Sequence, residues 1–140
     1  MIEVSNFTDF KVAEREIKKV IREVLKKERK EDLDITIVFV SQERIKELNL
    51  KYRKKNSPTD VLSFENVTNF VLPPGQGKET GEVVICPEQV AINAKNFNID
   101  FREEIVRVVV HGILHLLGYD HEKDQGEFFQ KQKLYIHTLY

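Results

Sequence analysis

The chain has 140 residues, 32% charged and 41% hydrophobic, with 22 Lys and Arg against 23 Asp and Glu and a net charge of -1. That length and balance predict one soluble globular domain over residues 1–140, and they exclude a disordered chain and a protein that coats nucleic acid through bulk positive charge; no DNA partner is expected. A single cysteine, Cys86, excludes an internal disulfide and suits a reducing cytoplasm; no signal peptide opens the chain, and the most apolar run, residues 105–117, is shorter than the roughly 20 residues of a membrane span.

Residues 2–5 can make a short strand. Over residues 12–29, Ile17, Val20, Ile21, Val24 and Leu25 recur at helical spacing, with Val12, Glu16 and Lys19 away from the centre of the stripe, which predicts a long amphipathic helix. Leu33, Ile35, Ile37 and Phe39 alternate along a strand over residues 32–40. Ser41 is the N-cap expected for a second helix, residues 42–53, with Glu43 at its positive end. Asn56-Ser57-Pro58-Thr59 is a turn into a third strand, residues 61–65. Residues 66–80 carry Pro73, Pro74, Gly75 and Gly77 and are expected to form an exposed loop or irregular hairpin.

Residues 82–86 have the composition of a buried strand, and Pro87 stands at the first position of a helix that runs to residue 97. Asp100 and Glu103 have the spacing of a capping box at the head of the next helix, and a last helix spans residues 124–138. Strands and helices mix without strict alternation. The expected fold is α+β, a small mixed sheet of about four strands packed against helices, with an apolar, central histidine helix of the zincin kind.

That helix carries the chemistry. His111, His115 and His121 fall within eleven residues. The first two are four apart, so both imidazoles project from one helix face about one turn apart, close enough to bind one ion. Gly118 ends the helix in the left-handed conformation and lets the chain turn back, bringing His121 toward the same point. Unpartnered imidazoles among Val108, Val109, Val110, Ile113, Leu114, Leu116 and Leu117 would be costly to bury. Three nitrogens with one open position suit a catalytic zinc, one per chain, although nickel from purification could take the same nitrogens. The spacing is that of the long zincin protease signature, but where those proteases carry a general-base Glu beside the first His, this chain has Gly112.

Charge is unevenly spread. From Lys11 to Lys55 there are 15 Lys and Arg against 9 Asp and Glu, a balance of +6 that leaves -7 elsewhere. An anionic partner could dock there, and solvated helix faces account for Lys18, Lys19, Lys26, Lys27, Arg29 and Lys30 equally well. At the end of the second helix, Lys51, Lys54 and Lys55 complement the macrodipole. Arg53 follows an aromatic and precedes the turn; its planar fork could hold two phosphate oxygens or stack on a base.

The motifs Leu48-Asn-x-x-Tyr52-Arg53, Pro58-Thr59-Asp60-Val-Leu-Ser-Phe64, Gly81-Glu82-Val-Val-Ile-Cys and His111-Gly-x-Leu-His115-Leu-x-Gly118-Tyr119-Asp120-His121 together resemble the YbeY family of bacterial endoribonucleases. They lie in order from Leu48 to His121. The resemblance implies a metalloenzyme acting on single-stranded ribosomal RNA, at the 3′ end of the small-subunit RNA and in ribosome quality control, with the ribosome or small-subunit proteins as partners. It implies zinc on His111, His115 and His121 and a functional Arg53. The family usually has Gly-Asp where this chain has Gly81-Glu82.

On that reading, metal-activated water would hydrolyse the phosphodiester, Arg53 would hold the scissile phosphate, and Asp120 could orient an imidazole, unless it serves the turn instead. Two other classes stand beside it. One is a zincin-like hydrolase of peptides or small substrates, its water activated by Glu82 or Asp60. The other is a non-catalytic ribosome-assembly factor with a structural metal.

Overall fold

Side chains in a strand alternate between faces, and Asp34–Phe39 shows this directly: Ile35, Ile37 and Phe39 are buried while Asp34, Thr36 and Val38 are partly exposed. The computed structural model describes residues 1–65, 80–120 and 125–139. In it, strands β1 (Ile2–Asn6), β2 (Asp34–Phe39), β3 (Val61–Glu65) and β4 (Thr80–Ile85) form a four-stranded sheet of order β1-β2-β4-β3. The first three positions in that order are parallel, and β3 runs antiparallel to β4 at the edge. Helices α1 (Glu14–Lys27), α2 (Gln42–Arg53), α3 (Pro87–Asn96), α4 (Phe101–Leu116) and α5 (Glu127–Leu139) complete an α+β fold.

The elements sit where the sequence places them, within two or three residues. The stripe of α1 is buried as expected, through Ile17, Val20, Ile21, Val24 and Leu25. Ser41 Oγ accepts from the Arg44 N–H at the head of α2, and Pro87 opens α3. The capping box does not form: Asp100 is the N-cap of α4, but its side chain makes no capping hydrogen bond. What remains at that end is charge, with Glu103 and Glu104 in the first turn next to the positive pole of the helix. α5 begins only at Glu127, because Gly126 before it is left-handed, with φ 103°. Of the loop expected over residues 66–80, Thr80 instead opens β4 and residues 66–79 lie outside the described residues, as does His121.

One face of the sheet meets α1 and α4. Ile35, Ile37, Phe39, Val83 and Ile85 pack there against Ile21 and Val24 of α1 and Val109, Val110 and Ile113 of α4. The other face carries a smaller cluster, Val40, Ile45, Leu62, Val84 and Cys86, under α2. α4 is central, with nine of its residues buried and with α1, α3, α5, β3 and β4 around it. It also lies unusually close to the sheet. A Cβ at Gly112 would stand 2.6 Å from Val83 Cγ1, and one at Gly81 would stand 2.7 Å from Leu116 Cδ1. Glycine at position 112 is therefore a packing requirement, and the glutamate of a zincin protease could not be accommodated there without moving the helix off β4.

Candidate active site

His111 and His115, one turn apart on α4, point the same way. Their Nε2 atoms are 3.2 Å apart. His111 Nδ1 lies 2.8 Å from Gln132 Oε1 on α5; because that oxygen only accepts, the proton belongs on Nδ1 and the lone pair on Nε2. Phe128, also on α5 and fully buried, sets its ring 4.8 Å from both imidazoles. The pair is thus clamped between α4 and α5 with its Nε2 atoms converging.

The donor geometry fits zinc. A tetrahedral ion about 2.0–2.1 Å from each of two nitrogens needs them about 3.3 Å apart, close to the separation here. Among the described residues no group of three His, Cys, Asp or Glu side chains gathers to hold an ion; His121, the third expected ligand, lies outside them. The turn that leads to it is well formed. Gly118 is left-handed, with φ 93°; its N–H bonds the His115 carbonyl at 3.0 Å and the Tyr119 N–H bonds the Leu114 carbonyl at 3.1 Å, a Schellman close that reverses the chain. Tyr119 Oη then donates to Glu28 at 2.6 Å.

Glu28, at the end of α1, also accepts from Lys131 Nζ at 2.8 Å and Tyr135 Oη at 2.7 Å. One carboxylate so ties α1 to the turn after α4 and to α5. Burial works to raise its pKa, but the hydrogen bonds from Lys131, Tyr119 and Tyr135 and the Lys131 charge outweigh it, and the net shift is down. The same contacts hold the Lys131 ammonium up, and the Tyr135 hydroxyl is pushed up to about 12 by burial and by the Glu28 bond and charge.

The histidines line a cleft of about 280 Å³ with Arg53, Val61, Leu62, Ser63 and Glu65. Arg53 comes to it from the far end of α2. Its Nη2 donates to the Ser63 carbonyl at 2.9 Å, its Nη1 to the Tyr52 carbonyl at 3.4 Å, and its guanidinium lies 5.4 Å from the Phe64 ring centre. The side chain is exposed, and three of its five N–H donors remain for a ligand. Ser63 Oγ in turn donates to the Gly112 carbonyl at 3.2 Å, which ties β3 to the histidine helix. The structure thus brings together Arg53, His111 and His115.

It separates the other candidates. Glu82 points to the opposite face of the sheet, since its neighbours Gly81 and Val83 face α4. Asp60 faces Thr59 and Asn93, its carboxylate 3.4 and 3.5 Å from their side chains, and does not line the cleft. Neither of the two carboxylates expected to serve a peptidase lies at the histidines, and the one that does line the cleft is Glu65. The group that orients His111 is Gln132. Gln132, Phe128 and Glu65 escaped sequence reading. Only Ser63 carried a signal, its place in the Pro58-to-Phe64 motif.

Known proteins match this chain over most of its length. The family model described as Endoribonuclease YbeY matches residues 3–140. A protein of Thermotoga maritima named Endoribonuclease YbeY is 41% identical over 127 residues, covering 89% of this chain and 79% of its own. One from Sulfurovum sp. with the same name is 35% identical over 133 residues, 95% of this chain and 86% of its own. The solution structure of TM1509 from Thermotoga maritima superposes with a TM-score of 0.67 at 35% identity, covering 99% of this chain and 89% of that one. With its fold, its motifs and this coverage, the chain belongs to the YbeY family.

Proposed function

We propose that this protein is a zinc-dependent endoribonuclease that hydrolyses phosphodiesters in single-stranded RNA, in the cytoplasm, at the 3′ end of small-subunit ribosomal RNA and in ribosome quality control. The observation that carries this reading is the shared cleft: a guanidinium with spare donors and two converging imidazoles line one opening. Membership of an endoribonuclease family supports it.

His111 and His115, with His121, would hold zinc. When bound, that ion supplies a Lewis acid for a phosphoryl oxygen and lowers the pKa of water. Gln132 keeps the His111 proton on Nδ1, so Nε2 is available as a ligand without deprotonation. Arg53 binds the scissile phosphate through its free N–H groups and offsets charge that develops there. Two backbone carbonyls already hold its planar fork, so little reorganisation accompanies substrate binding.

The test uses protein stripped by chelation and then reloaded with zinc, offered a single-stranded RNA and a peptide library side by side. Cleavage of RNA alone, lost on chelation and restored by zinc, is the expected result. Cleavage of peptides only, cleavage of RNA that ignores the metal, or no cleavage of either would each overturn the reading.

A further inference from the structure

A second, larger cavity opens on the face of the sheet away from the histidines. It has a volume of about 660 Å³ and is walled by Phe7, Arg44, Tyr52, Phe64 and Glu82 over Val84. Its place relative to the first cleft follows from β3, the edge strand: Ser63 and Glu65 line the histidine cleft, and Phe64 between them lines this cavity. Arg53 occupies the rim between the two, over the Phe64 ring and bonded to the Ser63 carbonyl. Tyr52, the residue before it, meets Phe64 edge to face at 5.2 Å.

We propose that this cavity is a base-binding subsite that takes a guanine of the RNA strand, one or two nucleotides from the phosphate held at Arg53; the proposal rests on the endoribonuclease reading. The two cavities lie on opposite sides of the same few residues of an edge strand, a span that a single-stranded RNA can cross by rounding the rim. Phe7, Tyr52 and Phe64 offer aromatic surfaces of the kind on which unpaired bases stack. Glu82 supplies the selection. An ionised carboxylate only accepts, and guanine alone among the four bases presents two adjacent donors, N1–H and the 2-amino group, on its Watson–Crick edge. Adenine and cytosine each set an acceptor beside their amino group, and uracil has one donor between two acceptors, so each meets the carboxylate with a repulsive lone pair. The Glu82 carboxylate has no hydrogen-bond or ion-pair partner among the described residues, while Arg44 on the same wall is paired with Glu47 at 3.1 Å.

The experiment measures cleavage by the zinc-loaded protein of single-stranded RNAs that are uniform except for one guanine, placed at successive positions. Wild type should cut at a fixed offset of one or two nucleotides from the guanine, at least tenfold faster than in a guanine-free strand, and inosine, which lacks the 2-amino group, should lose most of that gain. In Glu82→Ala the ratio of the two rates should fall to near one. Glu82→Gln, which keeps the shape but offers one acceptor and one donor, should move the preference to adenine or cytosine, an outcome that a misfolded variant cannot mimic. Equal cleavage beside all four bases by wild type, or an unchanged guanine ratio in Glu82→Ala, would overturn the subsite. If wild type cuts no RNA at all, the endoribonuclease reading fails, and titration with GMP against AMP then decides the subsite alone: GMP-selective NMR shifts at Phe64 and Tyr52 that vanish in Glu82→Ala uphold it, and their absence in wild type overturns it.

Discussion

Arg53 is anchored by its neighbours rather than by an ion pair: two main-chain carbonyls and the face of Phe64 hold the guanidinium at the mouth of the histidine cleft. Because the side chain is exposed and lies outside the core, Arg53→Ala should leave thermal stability and zinc content unchanged while lowering RNA cleavage by roughly a hundredfold or more, the scale of losing one preorganised electrostatic donor. Arg53→Lys should recover only part, since an ammonium lacks the fork. Wild-type cleavage rates in the zinc-loaded alanine variant would rule out the role. Gly112 makes the opposite case, a residue beside the site whose purpose is packing. Gly112→Ala gains about 1 kcal/mol of helix propensity but forces a methyl into Val83, an overpacking cost of about 1–3 kcal/mol, so a net loss near 1 kcal/mol is expected in urea denaturation. Adding Val83→Ala should return part of it, and purely additive losses would show that the contact is not the cause.

At the scale of elements, α5 is the support of the site. It presents Gln132 and Phe128 to the histidines on one side and Lys131 and Tyr135 to Glu28 on the other. Gln132→Leu should lower zinc affinity about 10–100-fold in a chelator competition with little change in far-ultraviolet circular dichroism, because it removes the group that orients His111. Unaltered affinity would place the orientation of that ring elsewhere. The Glu28 junction should dominate acid sensitivity. Its carboxylate pKa lies below the ordinary value of 4.5, so its stabilisation is complete above that pH and is lost as the pH falls through the lower, folded value. Side-chain exposure at Glu28 is 8%, and Glu28→Ala strands three donors, so a loss of about 3 kcal/mol is expected at pH 7. In Glu28→Gln the deficit against wild type should shrink between pH 7 and pH 3; a deficit independent of pH would mean that the charge contributes nothing.

For the whole molecule, the proposed zinc would couple to the fold. An ion bound only by the folded state stabilises it by about 2.7 kcal/mol at a hundredfold excess over its Kd, enough to raise the melting temperature by several degrees in a chain of this size. Zinc should therefore raise the melting temperature of wild type and leave His115→Ala unmoved. An equal rise in both would place the ion at another site.

Local sequence was enough to specify the helices, the strands and the histidine pair, because each depends on interactions within a few residues. The four-residue spacing of His111 and His115 puts both rings on one face whatever surrounds the helix, Gly118 closes it because glycine tolerates positive φ, and Ser41 caps α2 through a neighbour three residues on. The capping box at Asp100 shows the limit of such rules, since the right spacing did not produce the bond. Everything that makes a site of these parts is long-range. Arg53 reaches the histidines because β3 pairs antiparallel with β4 at the sheet edge and α4 lies on β4 through Gly112 and on β3 through Ser63, contacts between positions from 16 to 49 residues apart. The same strand pairing turns Glu82 away from the histidine face and toward the second cavity, and docking of α5 supplies Gln132. Strand order, and with it the face each side chain occupies, follows from burying the whole set of apolar surfaces at once, and no window of sequence contains that set.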